Sequence, residues 1–237
     1  MNIHFSIDDV IGSLLWLDRT SAQSIFDSYT FAFAQWLYKE YQIPTTCNCL
    51  YSDGTKNLSM VSEKYRNEFE ECSDWLKFSF HGWNYEKNYA EVGYDEAFTD
   101  LTIVESEILR ICGRRSLSRN IRTHFFSGSE AAMLAWKHAG IKVFFTADDN
   151  RKGKGINYNL NDEELLNLQT THFLLKEGML FVKTDIRLER YREEISRNII
   201  PSSSTTVIFT HERFIGETWI KKAMSNILAN KLCVTVK

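Results

Sequence analysis

The segment IHFSIDD, residues 3–9, decides how the rest of the chain is interpreted. Apolar side chains alternate with polar ones from Ile3 to Ile7, which predicts a β-strand, and two adjacent acids, Asp8 and Asp9, follow it. Such a pair is typical of a turn, and also of a site at the carboxyl end of a parallel sheet. The residues at the ends of the other strands decide between a turn and a functional site.

Short apolar runs alternate with longer amphipathic ones along the whole chain. Further strands are predicted at 45–51, 75–81, 120–126, 141–146 and 207–210. Helices are predicted at 21–41, 59–71, 99–113, 129–140, 161–168 and 217–230. A hairpin is predicted at 171–175 and 179–183, a flexible loop at 148–159, and a terminal strand at 233–236. Strands separated by helices imply βαβ units and a parallel sheet, either closed into a barrel or open and doubly wound.

The length of 237 residues fits one domain of barrel size, and no internal repeat or proline-rich linker divides the chain. We therefore expect a single α/β domain over residues 1–237. The composition, 43% hydrophobic and 25% charged, is that of an ordinary globular protein. The formal net charge of −3 argues against a basic nucleic-acid-binding surface. The 14% of aromatic residues is enough for a packed core or for a cleft that stacks on sugars.

Two further classes of protein are not expected. No apolar run approaches the ~20 residues needed to cross a membrane, and the start of the chain lacks the basic region of a signal peptide. The expectation is a cytoplasmic protein with no membrane and no nucleic-acid partner, whose oligomeric state is left open. The five cysteines form no C-x-x-C pair, so we expect reduced, buried thiols and neither a disulfide scaffold nor a zinc ribbon.

The carboxyl ends of the predicted strands collect ionisable side chains. They are Asp8 and Asp9, His81, Arg122 and His124, Asp148 and Asp149, and His211. Carboxylates and imidazoles bind divalent ions, which polarise a carbonyl and activate water, and other members of the set can serve as base and acid. Each residue taken alone also has a structural explanation, as a helix cap, a buried hydrogen bond, an ion pair or a turn. That four separate strands end in such groups favours a hydrolytic metal site.

Four segments, taken in order, resemble a known family. FSIDD at 5–9 is similar to T-F-D-D, FHGWNY at 80–85 stands in place of H-[ST]-x-x-H, RTHF at 122–125 is similar to R-x-P-[FY], and VIFTH at 207–211 is similar to L-x-H. In this they resemble the polysaccharide deacetylases, carbohydrate esterase family four. The resemblance implies a distorted (β/α) barrel and metal-dependent hydrolysis of N-acetyl groups on sugars, with a divalent metal, zinc in the first place.

The resemblance also implies roles for single residues. Asp8 would be the catalytic base, Arg122 would hold it in place, and His211 would be the general acid that protonates the leaving amine. Asp148 or Asp149 would orient His211.

The metal ligands depart from the family pattern. Asp9 and His81 would be the first two, but the third falls on Tyr85, since the family has histidine four residues after the first. A phenol must ionise from a pKa of about 10 to bind a metal well, whereas a neutral imidazole is available at pH 7. His124, which replaces the family's proline, lies on the same face of a strand as Arg122 and is expected to be the substitute ligand. The other interpretations are that it only lines the cleft, or that the site has decayed.

Three functions remain open from the sequence. The leading one is a metal-dependent hydrolase that removes an N-acyl group, such as acetyl, from a sugar or a similar small amide, with an intracellular sugar intermediate as the expected substrate. The alternative is a catalytically inactive carbohydrate-binding barrel that has kept the fold and lost a ligand, as the tyrosine at position 85 suggests. A third is another barrel hydrolase, such as a phosphoesterase.

Overall fold

The computed structural model describes residues 2–149, 153–192 and 205–235. Its strands are β1 (Asn2–Val10), β2 (Thr45–Leu50), β3 (Leu76–Gly82), β4 (Asn120–Ile121), β5 (Val143–Phe145), β6 (Phe173–Lys176), β7 (Met179–Val182), β8 (Ile186–Arg187) and β9 (Thr205–His211). Its helices are α1 (Gly12–Thr20), α2 (Tyr29–Tyr41), α3 (Arg66–Glu71), α4 (Tyr94–Cys112), α5 (Glu130–His138), α6 (Asp162–Thr171) and α7 (Thr218–Thr235). No helix in these ranges is long and apolar enough to span a membrane.

The strands form two sheets that together make a distorted (β/α) barrel. The first has the order β3-β2-β1-β9-β8 and is parallel throughout, and the second has the order β4-β5-β7-β6, in which only β6 is antiparallel. The sheets meet where the amide of Ser118 donates to the carbonyl of Phe78 at 2.7 Å and the hydroxyl of Ser79 donates to that of Asn120 at 2.8 Å. The expected fold class is confirmed.

Burial on both faces explains the strands, and one buried face explains the helices. Every residue of β2 is buried, as parallel strands covered by helices require. In α4, Leu101, Val104 and Ile108 recur at spacings of three and four residues and are buried against the sheet. The predicted hairpin is confirmed as β6 and β7, with Leu174 opposite Phe181.

The helix predicted at 21–41 is wrong in its first part. Residues 12–20 form α1, which was not predicted, and Ser21 ends it with a left-handed φ of 50°. Residues 25–27 then form a 3₁₀ turn, and the carboxylate of Glu68 accepts from the Ile25 amide at 2.9 Å. Helix α2 therefore begins only at Tyr29.

The strand predicted at 120–126 ends at Ile121 and is followed by a 3₁₀ turn at 124–126. The chain leaves the sheet because the amide of Thr123 donates to the hydroxyl of Tyr158 at 3.1 Å instead of to a neighbouring strand. Phe125 completes the turn with a left-handed φ of 59°. His124 is therefore on a turn and not on an extended strand.

Other predictions at element ends also change. Helix α3 keeps only the end of the segment predicted at 59–71, and α4 begins at Tyr94, five residues earlier than predicted. The terminal strand predicted at 233–236 is wrong as far as Thr235, because no glycine or proline interrupts α7 before that residue. Of the predicted loop at 148–159, residues 150–152 lie outside the described ranges. Its later part is packed, with the Tyr158 ring fully buried.

Candidate active site

Both acids at the end of β1 are buried inside the barrel, although neighbouring side chains of a regular strand point to opposite faces. The register of the two strands explains this burial. Ile7 pairs with Cys47 and Val10 pairs with Cys49, so β1 has one residue more than β2 between these pairs, which is a β-bulge. Asp9 takes a left-handed φ of 64° at this bulge. Such a conformation is costly for a residue other than glycine and is concentrated at functional sites. The bulge turns Asp9 to the same interior as Asp8.

Asp9 meets two histidines there. Its Oδ1 lies 3.2 Å from His81 Nε2 and 3.3 Å from His124 Nδ1, and the two nitrogens are 3.4 Å apart. Neighbouring ligand atoms of a tetrahedral ion with bonds of about 2.1 Å are about 3.4 Å apart. The three atoms thus have the spacing of one face of such a site, and they are the one group of this kind in the described residues.

The second nitrogen of each ring fixes what the first can do. His81 Nδ1 is bonded to the carbonyl of Arg122, and His124 Nε2 lies 3.0 Å from the carbonyl of Tyr85. Carbonyl oxygens only accept, so both these nitrogens carry the proton, and the nitrogens facing Asp9 present lone pairs. Asp9 Oδ1 is buried and has no hydrogen bond. When both imidazoles are neutral, three lone pairs thus converge, an arrangement that needs a cation among them. Carbonyl acceptors behind ligating imidazoles are usual in metal sites.

With no ion bound, protons on the imidazoles balance the charge of the Asp9 carboxylate. Burial alone would raise the pKa of Asp9, but the imidazoles of His124 and His81 hold it well below its usual range. Burial likewise would lower the pKa of His81, but the carboxylates of Asp9 and Asp8 raise it overall. The site is therefore built to attract positive charge.

His124 reaches the cluster from a turn, whereas the sequence predicted an extended strand at this position. The turn at 124–126 carries its ring to 5.4 Å from that of His81, measured between centroids. Tyr85 contributes its backbone carbonyl to His124, and the centroid of its ring lies 6.3 Å from that of His124. Partial burial raises the pKa of the Tyr85 phenol to about 12, so the phenol stays protonated.

Asp8 is held by two donors on one oxygen. Its Oδ1 accepts from Asn48 Nδ2 at 2.7 Å and from Arg122 Nη1 at 3.3 Å. Arg122 is fully buried and also donates to the hydroxyls of Ser6 and Thr184, the latter at 3.0 Å. The structure therefore brings Arg122 to Asp8, as the sequence predicted. Asn48 was missed, although a polar side chain in the middle of an apolar strand was a signal for it.

His211 lies beside Asp8, because the two residues pair in register on the neighbouring strands β9 and β1. Its Nδ1 is 2.9 Å from Glu189 Oε1, which also accepts from its backbone amide at 2.6 Å. Burial alone would raise the pKa of Glu189, but the contact with His211 lowers it overall. A carboxylate on Nδ1 leaves Nε2 of His211 to carry the exchangeable proton.

The expectation that Asp148 or Asp149 orients His211 is wrong. Asp148 pairs with Arg187 at 3.2 Å and with Arg190 at 3.1 Å, and Arg190 also contacts Asp149. These acids follow β5, and they pair there with Arg187, the last residue of β8, and with Arg190, which follows that strand. Glu189 was missed because it lies in a polar segment that no strand prediction reached.

A cleft of about 550 Å³ opens beside Asp9. Its wall includes Trp16, Tyr29, Tyr85 and Arg213. Glu212 also lies on this wall, but its carboxylate accepts from the amides that begin α1, including that of Gly12 at 2.8 Å.

No family model matches the sequence, and no curated protein matches it significantly. Solved structures do. A family 4 acetyl xylan esterase from Clostridium thermocellum, in complex with a cobalt ion, aligns with a TM-score of 0.50 and 10% identity over 99% of this chain and 85% of that one. The Bc1960 peptidoglycan N-acetylglucosamine deacetylase aligns with a TM-score of 0.46 and 11% identity, over 98% of this chain and 83% of that one. A mutant of BA3943, a CE4 family pseudoenzyme, aligns with a TM-score of 0.49 and 10% identity over 98% of this chain and 62% of that one.

The likeness to the esterase concerns the fold, since the identity of 10% leaves few residues in common. What the site can do must therefore be argued from the side chains themselves.

Proposed function

We propose that this chain, which has the barrel fold of carbohydrate esterase family 4, is a metal-dependent hydrolase that removes an N-acyl group from a sugar. The observation that carries the proposal is the convergence of three lone pairs, on Asp9, His81 and His124, next to a buried carboxylate and a carboxylate-bound imidazole. Metal, base and acid are the parts that amide hydrolysis needs.

Asp9, His81 and His124 would hold the metal. One carboxylate and two imidazoles form a ligand set of zinc sites, and a catalytic site keeps a further position open for water or substrate. Zinc is therefore the ion we propose first, with other first-row divalent ions as competitors for the same ligands. When bound, it would polarise the acyl carbonyl and make water acidic enough to attack.

The proton transfers fall to Asp8 and His211. Because Asn48 and Arg122 both contact Oδ1 of Asp8, its Oδ2 is left to accept the proton of the attacking water. The water oxygen bonds to the acyl carbon, the carbon–nitrogen bond breaks, and His211 Nε2 gives its proton to the leaving nitrogen. Glu189 stabilises the positive charge that His211 carries before this step. The products are a carboxylic acid and an amine.

The cleft supports a sugar as the substrate. Trp16, Tyr29 and Tyr85 give it aromatic walls, and the Tyr29 ring is 78% exposed at its rim. A large ring left in water beside a catalytic site is typical of a surface that a ligand covers.

A catalytically inactive carbohydrate-binding barrel would share the fold and the aromatic cleft. The complete set of base, acid and three converging ligand atoms favours the hydrolase, because each is a part that amide hydrolysis needs.

The test combines metal content with turnover. The protein is loaded with zinc, and acetate release is measured from N-acetylglucosamine and its short β-1,4 oligomers. We expect about one ion per chain, lost in the Asp9→Ala, His81→Ala double variant, and acetate release that falls ~10²–10⁴-fold in Asp8→Asn. His138→Ala is the control, since His138 is exposed and its Nδ1 lies 2.9 Å from the Tyr94 hydroxyl, outside the lining of the cleft. Bound zinc without acetate release from any of these sugars would favour the inactive barrel.

A further inference from the structure

Three basic side chains near the site have no acidic partner in the described residues. Arg213 lies on the wall of the main cleft. Arg19 and Lys56 line a second cavity of about 320 Å³, which shares Gly12 and Trp16 with the cleft. The two cavities are therefore neighbours along α1.

Two acids lie beside these cations, Glu212 on the wall of the main cleft and Asp53 in the second cavity, and hydrogen bonds hold both of them. The carboxylate of Glu212 accepts from three backbone amides at the start of α1, where the helix dipole favours negative charge. Asp53 Oδ1 accepts from the amides of Thr55 at 2.8 Å and Lys56 at 2.7 Å, which fixes it in a turn. In the second cavity the two cations, Arg19 and Lys56, outnumber the single carboxylate of Asp53.

The spacing along α1 sets the reach of such a ligand. Gly12, Trp16 and Arg19 recur at i, i+4 and i+7, so they lie on one face of the helix. At 1.5 Å per residue, Arg19 lies about 10 Å along the helix from Gly12, which is itself three residues after Asp9. A molecule with its acyl group at Asp9 could run over Trp16 and present a negative group to Arg19 and Lys56.

We propose that the substrate is an acylated sugar that carries a phosphate group, bound by Arg19 and Lys56, with Arg213 adding positive charge along the way. This inference rests on the proposed function for the position of the acyl group. Two cations in one small polar cavity suit a phosphate better than a neutral hydroxyl, because phosphate accepts charge-assisted hydrogen bonds from both.

The test is calorimetric binding to the zinc-loaded protein. The probes are N-acetylglucosamine, N-acetylglucosamine 1-phosphate and uridine diphosphate N-acetylglucosamine, which separate a neutral sugar, a phosphate monoester and a diphosphate diester. We expect at least one phosphorylated probe to bind tenfold or more tightly than the neutral sugar. The Arg19→Gln, Lys56→Gln double variant should remove that advantage and leave the affinity for the neutral sugar unchanged. Arg114→Gln, Lys222→Gln makes the same change of charge away from both cavities.

The outcomes separate this inference from the proposed function. Equal affinity for all three probes, or a phosphate advantage that survives in the double variant, would overturn the inference even if acetate is released. A phosphate advantage that depends on Arg19 and Lys56, in a protein that releases no acetate, would support the anion-binding site and overturn the proposed hydrolase activity. A loss of the advantage in the charge-matched control would assign it to the overall field of the protein and would also overturn the inference.

Discussion

Replacing His124 by alanine should remove the third metal ligand. Its Nδ1 is 3.3 Å from Asp9 Oδ1 and 3.4 Å from His81 Nε2, so the change would leave two of the three converging atoms. Groups that only support a ligand cost 10–100-fold in metal affinity when they are removed. A direct ligand should cost at least the upper end of that range. We therefore expect the zinc Kd to rise about 100-fold or more, which is about 2.8 kcal/mol.

Tyr85→Phe is the matched comparison. It keeps the ring and the backbone carbonyl that accepts from His124 Nε2, and it removes only the phenol. Because burial raises the pKa of that phenol to about 12, it is neutral at pH 7.5 and has little affinity for a metal. We expect the zinc Kd of this variant to stay within about threefold of the original, since a threefold change is below 0.7 kcal/mol.

The assay is competition with a chromophoric chelator at pH 7.5, with circular dichroism to establish that both variants are folded. His138→Ala again serves as the histidine control. A large rise of the Kd in Tyr85→Phe with none in His124→Ala would refute the reasoning, because the ligand would then be the residue at the family's position. Unchanged affinity in both variants would refute it as well, since the ion would need only Asp9 and His81.

Three further predictions follow from contacts around the site and in the core. Glu189→Gln should lower kcat on the order of 10²-fold with little change in KM, because the amide cannot stabilise a charged His211; steady-state kinetics test this. Glu164 is paired with Lys176 at 2.8 Å. Burial would raise the pKa of Glu164, but the ion pair lowers it overall. The ion pair therefore stabilises the fold above the ordinary pKa of about 4.3, and this stabilisation is lost as the pH falls through the lowered pKa. Urea unfolding of Glu164→Gln should therefore show a deficit of about 0.5 kcal/mol at pH 7 that shrinks toward zero near pH 3. Trp136 is fully buried, and its indole donates to a carbonyl of α4 at 3.2 Å, so Trp136→Ala should cost about 3–5 kcal/mol in the same measurement.

The fold was predictable because burial leaves a periodic trace in the sequence. Strands β2 and β3 are buried along nearly their whole length, and α4 has apolar residues at helical spacing, so all three were recognised. Helix α1 was missed because it follows β1 almost without a connecting loop, and its end depends on the left-handed residue Ser21. Short connections and left-handed residues leave no periodic pattern in the sequence.

Most of the residues that form the site were predictable from the sequence, but their arrangement was not. The bulge at Asp9 arises from pairing with β2, which is about forty residues away, and no local pattern encodes it. Glu189 reaches His211 from 22 residues earlier in the chain, out of a segment with no strand period. Side chains that act through another residue, such as Asn48 on Asp8, are found only when the strands are placed side by side.

The short segment 122–124 explains how a third ligand can stand where the family has proline. The Arg122 side chain is fixed by hydroxyls inside the barrel, its carbonyl binds the ring of His81, and the amide of Thr123 is fixed by Tyr158. With both preceding residues anchored, His124 lies next to His81 and Asp9. A histidine there can supply a ligand without any change to the loop after β3, where the family has its own. In the proposed site, Asp9 and His81 would set the position of the metal, and the third nitrogen would come from the turn at 124–126.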